Sequence, residues 1–344
     1  MSAVKVLKYA SIRAGLEGIS LLGPVALKMG ARGRGVIFTL HHVRPHYGHA
    51  FDPNRILSVT PQFLEQAIEA ALECGLVPVA AEDLPALLAD PDDKRSFVSF
   101  TLDDGYRNNA EFAAPVFTKH QVPFTIFITA GFVERTRSLW WETAEAFIRE
   151  SATLSFDFGS GLETLALHTE RQKLAAFERF SRFIASHDED KAIAKLDALA
   201  RNHGIEPLAI TAALTMDATE LRELARNPLA RFGAHTLTHP NMRRLDVARL
   251  RAEIVQSAEA VERYVAQRPR IFAYPYGFHE AVDEREIKAV AEAGFGMAVT
   301  TQPGVLSAAS LQHPTAFNRV SLNGAYQKKR YVKALISGLP FKFF

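Results

Sequence analysis

Apolar residues in this chain come in short continuous runs separated by amphipathic stretches. The runs at 36–40, 77–79, 97–102 and 124–129 have strand length and end in polar or turn residues, the pattern of strands buried on both faces. Between them the period changes. Thr60-Pro61 opens a predicted helix through Glu73, with Thr as N-cap and Pro in the first turn, and Phe63, Ala67, Ile68, Ala71 and Leu72 fall on one face of it. A helix to Leu88 follows the second run, a polar loop at 90–95 precedes the third, and 108–120 reads as the helix after it. Strand and helix in alternation predict an α/β fold, a parallel sheet closed into a (β/α) barrel.

The rhythm breaks between Glu134 and Arg226. Trp140-Trp141-Glu142 opens a helical stretch, 171–185 and 190–203 have amphipathic helical spacing, and 154–158 alternates apolar and polar as one strand of a hairpin would. A helical insertion over 135–215, beside the barrel mouth, is expected. Asp217-Ala-Thr-Glu220 is a capping box that restarts the barrel pattern. Asp246 then caps a long helix to Val265, 280–293 reads as another helix, 296–300 as a strand, 303–314 as a loop and 317–322 as the last strand.

Composition adds bounds. With 344 residues, 48% of them apolar, the chain can bury one large core, alone or carrying an insertion. A formal charge of +2 gives no bulk electrostatic reason to expect nucleic acid as a partner. The lone cysteine, Cys74, cannot form an intrachain disulfide, and no run near the N-terminus is apolar enough to span a bilayer, so a cytoplasmic chain beginning at Met1 is expected. The two ends differ from the middle. Residues 1–35 hold Lys5, Lys8, Arg13, Lys28, Arg32 and Arg34 against Glu17 alone, and 325–344 set Lys328, Lys329, Arg330, Lys333 and Lys342 among Leu335, Ile336, Phe341, Phe343 and Phe344. Such ends, flanking a catalytic region at 36–324, suit solvated faces and also peripheral contact with an anionic membrane.

Residues with chemistry to offer gather where predicted strands stop. Ser99-Phe-Thr-Leu-Asp-Asp-Gly105 places Asp103 and Asp104 at the carboxyl end of a strand, where α/β folds collect their chemistry. Phe232-Gly-Ala-His-Thr-Leu-Thr-His-Pro240 ends in two imidazoles, and on a helical turn the spacing of His235 and His239 would aim both rings at one ion. Thr236 stands where the helical metalloprotease motif needs Glu, which argues against peptidase chemistry of that type. One carboxylate and two neutral imidazoles form a three-ligand catalytic set for a divalent metal; a capping Asp and a hydrogen-bonded polar His are the plainer structural readings. The third strand end is Ile271-Phe-Ala-Tyr-Pro-Tyr-Gly-Phe-His279.

With these three stretches in this order, the chain resembles the polysaccharide deacetylases, the family that shares the NodB homology domain. Its motifs read Thr-Phe-Asp-Asp-Gly, His-Ser/Thr-x-x-His and a Pro-Tyr-Gly turn; here Leu102 replaces the Phe. The resemblance implies a distorted, often incomplete (β/α) barrel and a metal-dependent hydrolase that removes N-acetyl groups from amino sugars of a glycan. It makes Asp103 the general base and Asp104, His235 and His239 the ligands of a divalent metal, zinc first, with cobalt, nickel or manganese as alternatives. It gives the Tyr274 N–H a share of the oxyanion and sets Tyr276 and Arg319 at the substrate; Trp141 in the insertion offers an aromatic face that suits a sugar ring, with core packing as the alternative. The acid that protonates the departing amine sits late in most members, in Leu-x-His, matched here by Leu311-Gln-His313. The poly-N-acetylglucosamine deacetylases carry it early, in Tyr-His-x-Val, and Leu40-His41-His42-Val43 resembles that segment, which points to His41, with His42 and His313 as fallbacks. Many members also place an Arg before the Pro-Tyr-Gly turn to orient the base. Ala273 stands there, leaving Arg270 or Arg319 to supply the charge by another route. Hydrolysis of another N-acyl or imide bond, or a non-catalytic glycan-binding or membrane-scaffold role, are the alternatives this pattern leaves open.

Overall fold

The computed structural model describes residues 3–29, 31–46 and 48–343. Phe344 of the aromatic tail lies outside the described residues, as do the side chains of Lys5 and Phe343. Eight strands form the main sheet: β1 (Gly35–Leu40), β2 (Leu76–Pro78), β3 (Ser96–Leu102), β4 (Phe124–Ile128), β5 (Ala230–Ala234), β6 (Ile271–Ala273), β7 (Met297–Val299) and β8 (Val320–Ser321). All pairings in it are parallel, in the order β7-β6-β5-β4-β3-β1-β8. β3 is the hub. Along one edge it pairs with β1 from Phe97 to Leu102; along the other, β2 takes Ser96 to Val98 and β4 takes Phe100 to Leu102. A parallel bridge from Val299 to Phe317 brings β7 back toward the chain entering β8, so the parallel sheet that the alternation predicts curls into the distorted barrel that the resemblance implies.

Burial explains the composition of these strands. β1 and β4 are buried at every position and β3 at all but Ser96, because helices cover the outer face while the curl closes over the inner one. The main core joins Phe38, Phe100, Phe117, Phe124 and Phe272 to helix Pro61–Glu73, whose Thr60 accepts the Phe63 N–H as the cap does in the sequence reading. Two expected helices are shorter than expected, for local reasons. The one at 108–120 begins as a π-turn, Asn109–Ala113, and is α-helical only over Ala114–Lys119, since Pro115 has no N–H to continue the ladder. The one at 280–293 starts at Glu284, where Asp283 and Glu286 make a capping box. The last strand keeps two residues of the expected six, and helix Pro207–Leu214 has no counterpart in the expected elements.

Outside the barrel, α1 (Ala3–Leu21) precedes β1. Between β4 and β5 stand α2 (Trp140–Glu150), a hairpin of Thr153–Asp157 with Leu162–Ala166, α3 (Glu170–Ser186) and α4 (Glu189–Asn202), packed round an apolar cluster of their own that includes Phe147, Phe156, Phe180 and Leu196. α5 (Val247–Val265) lies against β5, and α6 (Lys329–Ile336) packs between α1 and helix Pro61–Glu73. Among the described residues, no helix is long and apolar enough to cross a membrane.

Candidate active site

The strand ends deliver the expected acids to one place. Asp103 continues β3, its N–H held by Leu40 O at 3.0 Å, and is 2% exposed. Its carboxylate faces Arg319, which is wholly buried: Nη1 donates to Oδ1 at 2.7 Å and Nη2 to Oδ2 at 2.8 Å, while Nε is tied to Thr300 O at 2.8 Å. A two-point fork of this kind fixes the plane of the carboxylate as well as its charge. Burial alone would raise the Asp103 pKa, but Arg319, His235 and His41 outweigh it and hold the carboxyl well below the usual range. The charge that Ala273 fails to supply thus comes from the start of β8. Arg270 is spent elsewhere, on Glu82 and Asp83.

Asp104, the next residue, turns the other way because its backbone is left-handed, φ 72°, followed by Gly105 at φ 68°. Its Oδ1 lies 3.6 Å from His235 Nε2 and 3.4 Å from His239 Nε2, and donor atoms of the three residues all fall within 4.8 Å of one another. The ring of His235 is fixed from behind, Nδ1 to Ala273 O at 2.7 Å, which leaves Nε2 unprotonated and facing Asp104. Burial is the largest cause in each pKa here, pulling His235 to about 4 and His239 well below its ordinary value, so both imidazoles are neutral at neutral pH. Burial, then Asp103, pushes Asp104 well up. These residues fit a divalent cation: Asp104 Oδ1 and His239 Nδ1 are buried with no hydrogen-bond partner, and a carboxylate beside two neutral rings lacks only a positive charge.

The two histidines do not share a helical turn, as their spacing suggested. Residues 235–239 form a loop in which Thr236 (φ 64°) and His239 (φ 57°) are left-handed, and this folding-back, not helical pitch, makes the rings converge. Glu253 of α5 fastens the loop, accepting the N–H groups of Leu237 and Thr238 at 2.8 and 2.9 Å. Of the seven non-glycine residues with positive φ among the described residues, four, Asp104, Thr236, His239 and Tyr276, belong to this site. Such conformations cost on the order of 1–3 kcal/mol each and persist where surrounding contacts impose them.

The other expected site residues divide. His41 is partly exposed and interacts electrostatically with Asp103, Arg319, His235 and His239; burial outweighs Asp103 and pulls it down to about 4, so it is neutral at rest. His313 is exposed on the loop before β8. Tyr276 lies edge-on to His239 at 5.1 Å between centroids; its hydroxyl donates to Glu189 of α4, and its N–H has no acceptor among the described residues. Two expectations need correction. The Tyr274 N–H is taken by Val299 O across β6 and β7, at 3.3 Å, and the side chain is buried with its hydroxyl on Thr315 O, so Tyr274 offers nothing to an oxyanion. Trp141 is no sugar platform either: it is 92% buried, packed on Phe132 and His239, and its N–H is spent on the Tyr106 hydroxyl at 3.0 Å.

Four supporting residues, Asn108, Tyr106, Glu142 and Glu253, escaped the sequence reading. Because the Val43 N–H occupies Asn108 Oδ1, the Asn108 amide donates to His42 Nδ1 at 2.7 Å, which puts the His42 proton on Nε2, 3.3 Å from Glu142 Oε1. The rings of His42 and Tyr106 lie against each other, tilted, at 3.6 Å between centroids, and the hydroxyl of the wholly buried Tyr106 opposes the burial that raises the Asp104 pKa. Since the Trp141 indole can only donate, the Tyr106 proton is the one free to reach Asp104. Glu253 and Glu142 did leave a trace, as carboxylates on the apolar faces of amphipathic helices.

The polysaccharide deacetylase family model matches residues 90–174 and 182–298. No curated protein matches the chain in sequence. Among solved structures, the Streptococcus pyogenes deacetylase PplD, in complex with acetate, aligns with a TM-score of 0.55 at 16% identity over 84% of this chain and 93% of that one. A polysaccharide deacetylase from Bacillus cereus gives 0.55 at 14% over 87% and 68%, and IcaB from Ammonifex degensii 0.51 at 15% over 88% and 98%. At these identities the likeness to the solved structures is one of fold.

Proposed function

Because the chain belongs to the polysaccharide deacetylase family, hydrolases of carbon–nitrogen bonds other than peptide bonds, we propose that it removes N-acetyl groups from amino sugars of a glycan, using a divalent metal, zinc in the first instance. One observation carries this reading: a buried, unpartnered Asp104 oxygen faces two neutral imidazoles, beside a second carboxylate locked to Arg319. Asp104, His235 and His239 would hold the ion. Bound there, it would polarise the amide carbonyl and acidify water.

The chain's own groups supply the rest. Asp103 is ionised, and with Arg319 on one lone pair of each oxygen it keeps others free to take a proton from the attacking water. The Tyr276 N–H, fixed by its left-handed backbone and lacking an acceptor, replaces Tyr274 as donor to the oxyanion. His41 begins neutral, so the proton it delivers to the departing amine is the one given up by the water to Asp103. Acetate and a free amino sugar result.

The test joins metal analysis of the purified chain to acetate release from N-acetylated oligosaccharides. Asp103→Asn should retain metal and lose activity, whereas His235→Ala should lose both. Full activity in Asp103→Asn would remove the base assignment, and a chain that binds no divalent metal would remove the mechanism.

A further inference from the structure

The described residues include nine exposed large apolar side chains, and five of them, Leu7, Leu21, Leu22, Val25 and Met29, fall in one segment: α1, the turn after it, and the short helix Pro24–Lys28 with its C-cap Met29. Leu21 is 89% exposed and Val25 59%. This is not a loose end. Leu16 of α1 is buried against Tyr331 and Ala334 of α6, with Ile12 and Ile19 beside it, and Ala26 packs on Ala31 and Leu339. The inner face of the segment is therefore docked while its outer face is left apolar.

Charge distinguishes the possible occupants of that face. Glu17, the only acid of the segment, is consumed by Lys328, Arg330 and the Tyr331 hydroxyl, which together hold its carboxyl below the usual range. Glu69 and Glu73 on the neighbouring helix are likewise taken by Lys329 and Lys333. Lys8, Arg13 and Lys28 are exposed, and among the described residues none is paired with a carboxylate. Exposed leucine, valine and methionine with unneutralised cations around them complement a surface that is apolar inside and anionic at its headgroups. We infer that the outer face of α1 and the turn after it dock on an anionic lipid membrane.

The geometry gives the docked chain an orientation. Tyr9, early in α1, meets Tyr326 just past the end of β8, whereas the other end of the segment leads to the start of β1, where Arg32 is bonded to Cys74 O ahead of β2. α1 thus runs alongside the barrel in the direction opposite to its strands, and laying it on a lipid surface leaves the mouth opening along that surface.

Sedimentation of the full chain with vesicles tests this, using phosphatidylcholine alone and phosphatidylcholine mixed with phosphatidylglycerol. The wild type should pellet with the mixed vesicles only and be released by salt, and the exposed pair Leu21→Glu with Val25→Glu should lower the bound fraction about tenfold. Acetate release from a soluble substrate serves as the control for folding and should be unchanged in the pair. Wild type left in the supernatant with both vesicles, or a pair variant that binds as well as wild type, overturns the inference. So does a wild-type dimer in light scattering that the pair variant converts to monomer, since a second copy would then be what covers this face.

Discussion

At the residue scale, the Asp103 carboxylate and its counter-charge, Arg319, form one unit. Arg319→Lys keeps the positive charge but not the two-point fork, so metal content should hold while kcat falls roughly 10- to 100-fold, measured by metal analysis beside acetate release. Arg319→Ala should instead cost about 3–5 kcal/mol of stability in denaturant titration, because it strands a buried carboxylate. Tyr106→Phe removes the hydroxyl that faces Asp104 and strands the buried Trp141 N–H, so zinc affinity should weaken by about tenfold in calorimetry and the melting temperature should fall as well. These residues differ in how far the sequence disclosed them. Asp103, Asp104, His235 and His239 stood out because carboxylates and imidazoles interrupt apolar strand ends. Arg319 was visible only as one of two arginines that could pair with Asp103, since pairing across the barrel leaves no local spacing. Tyr276 and Tyr274 were confused because a Tyr-Pro-Tyr stretch does not show which N–H the sheet consumes.

At the scale of elements, α2 braces the centre through two adjacent side chains: Trp141 on the Tyr106 hydroxyl and Glu142 on His42. Glu142 carries a cost for this. Burial pushes its pKa up to about 7, so between its ordinary 4.5 and about 7 the folded chain holds a proton that the unfolded chain has released, and stability falls as pH rises through that window. Glu142→Gln keeps an acceptor for His42 and avoids the buried charge. Its melting temperature should exceed that of wild type at about pH 8 and by much less at about pH 5; an equal difference at both would show that Glu142 does not titrate there. Helices and strands were legible wherever a cap or a period marked them, as at Thr60, Asp217 and Asp246. The loop at 235–239 was misread as a helical turn, because the left-handed backbone at Thr236 and His239 is imposed by Glu253 and the neighbouring strands, not by local preference.

At the scale of the whole molecule, the sheet brings chain segments together far out of sequence order: β1 lies between β3 and β8, and the Asp103–Arg319 pair spans that seam. Alternation of strand and helix announced the parallel sheet, but no pattern in the sequence says that its last strand returns to its first. That return bears on how the protein is made. Synthesis runs from the amino end, so β1 and β3 have emerged from the ribosome while Arg319 is still unmade, and Asp103 must wait, hydrated, for its cation. The Asp103–Arg319 pair therefore forms only after the segment carrying β8 has been made, and a nascent polypeptide cut short before that segment should keep an open barrel and be a target for proteolysis.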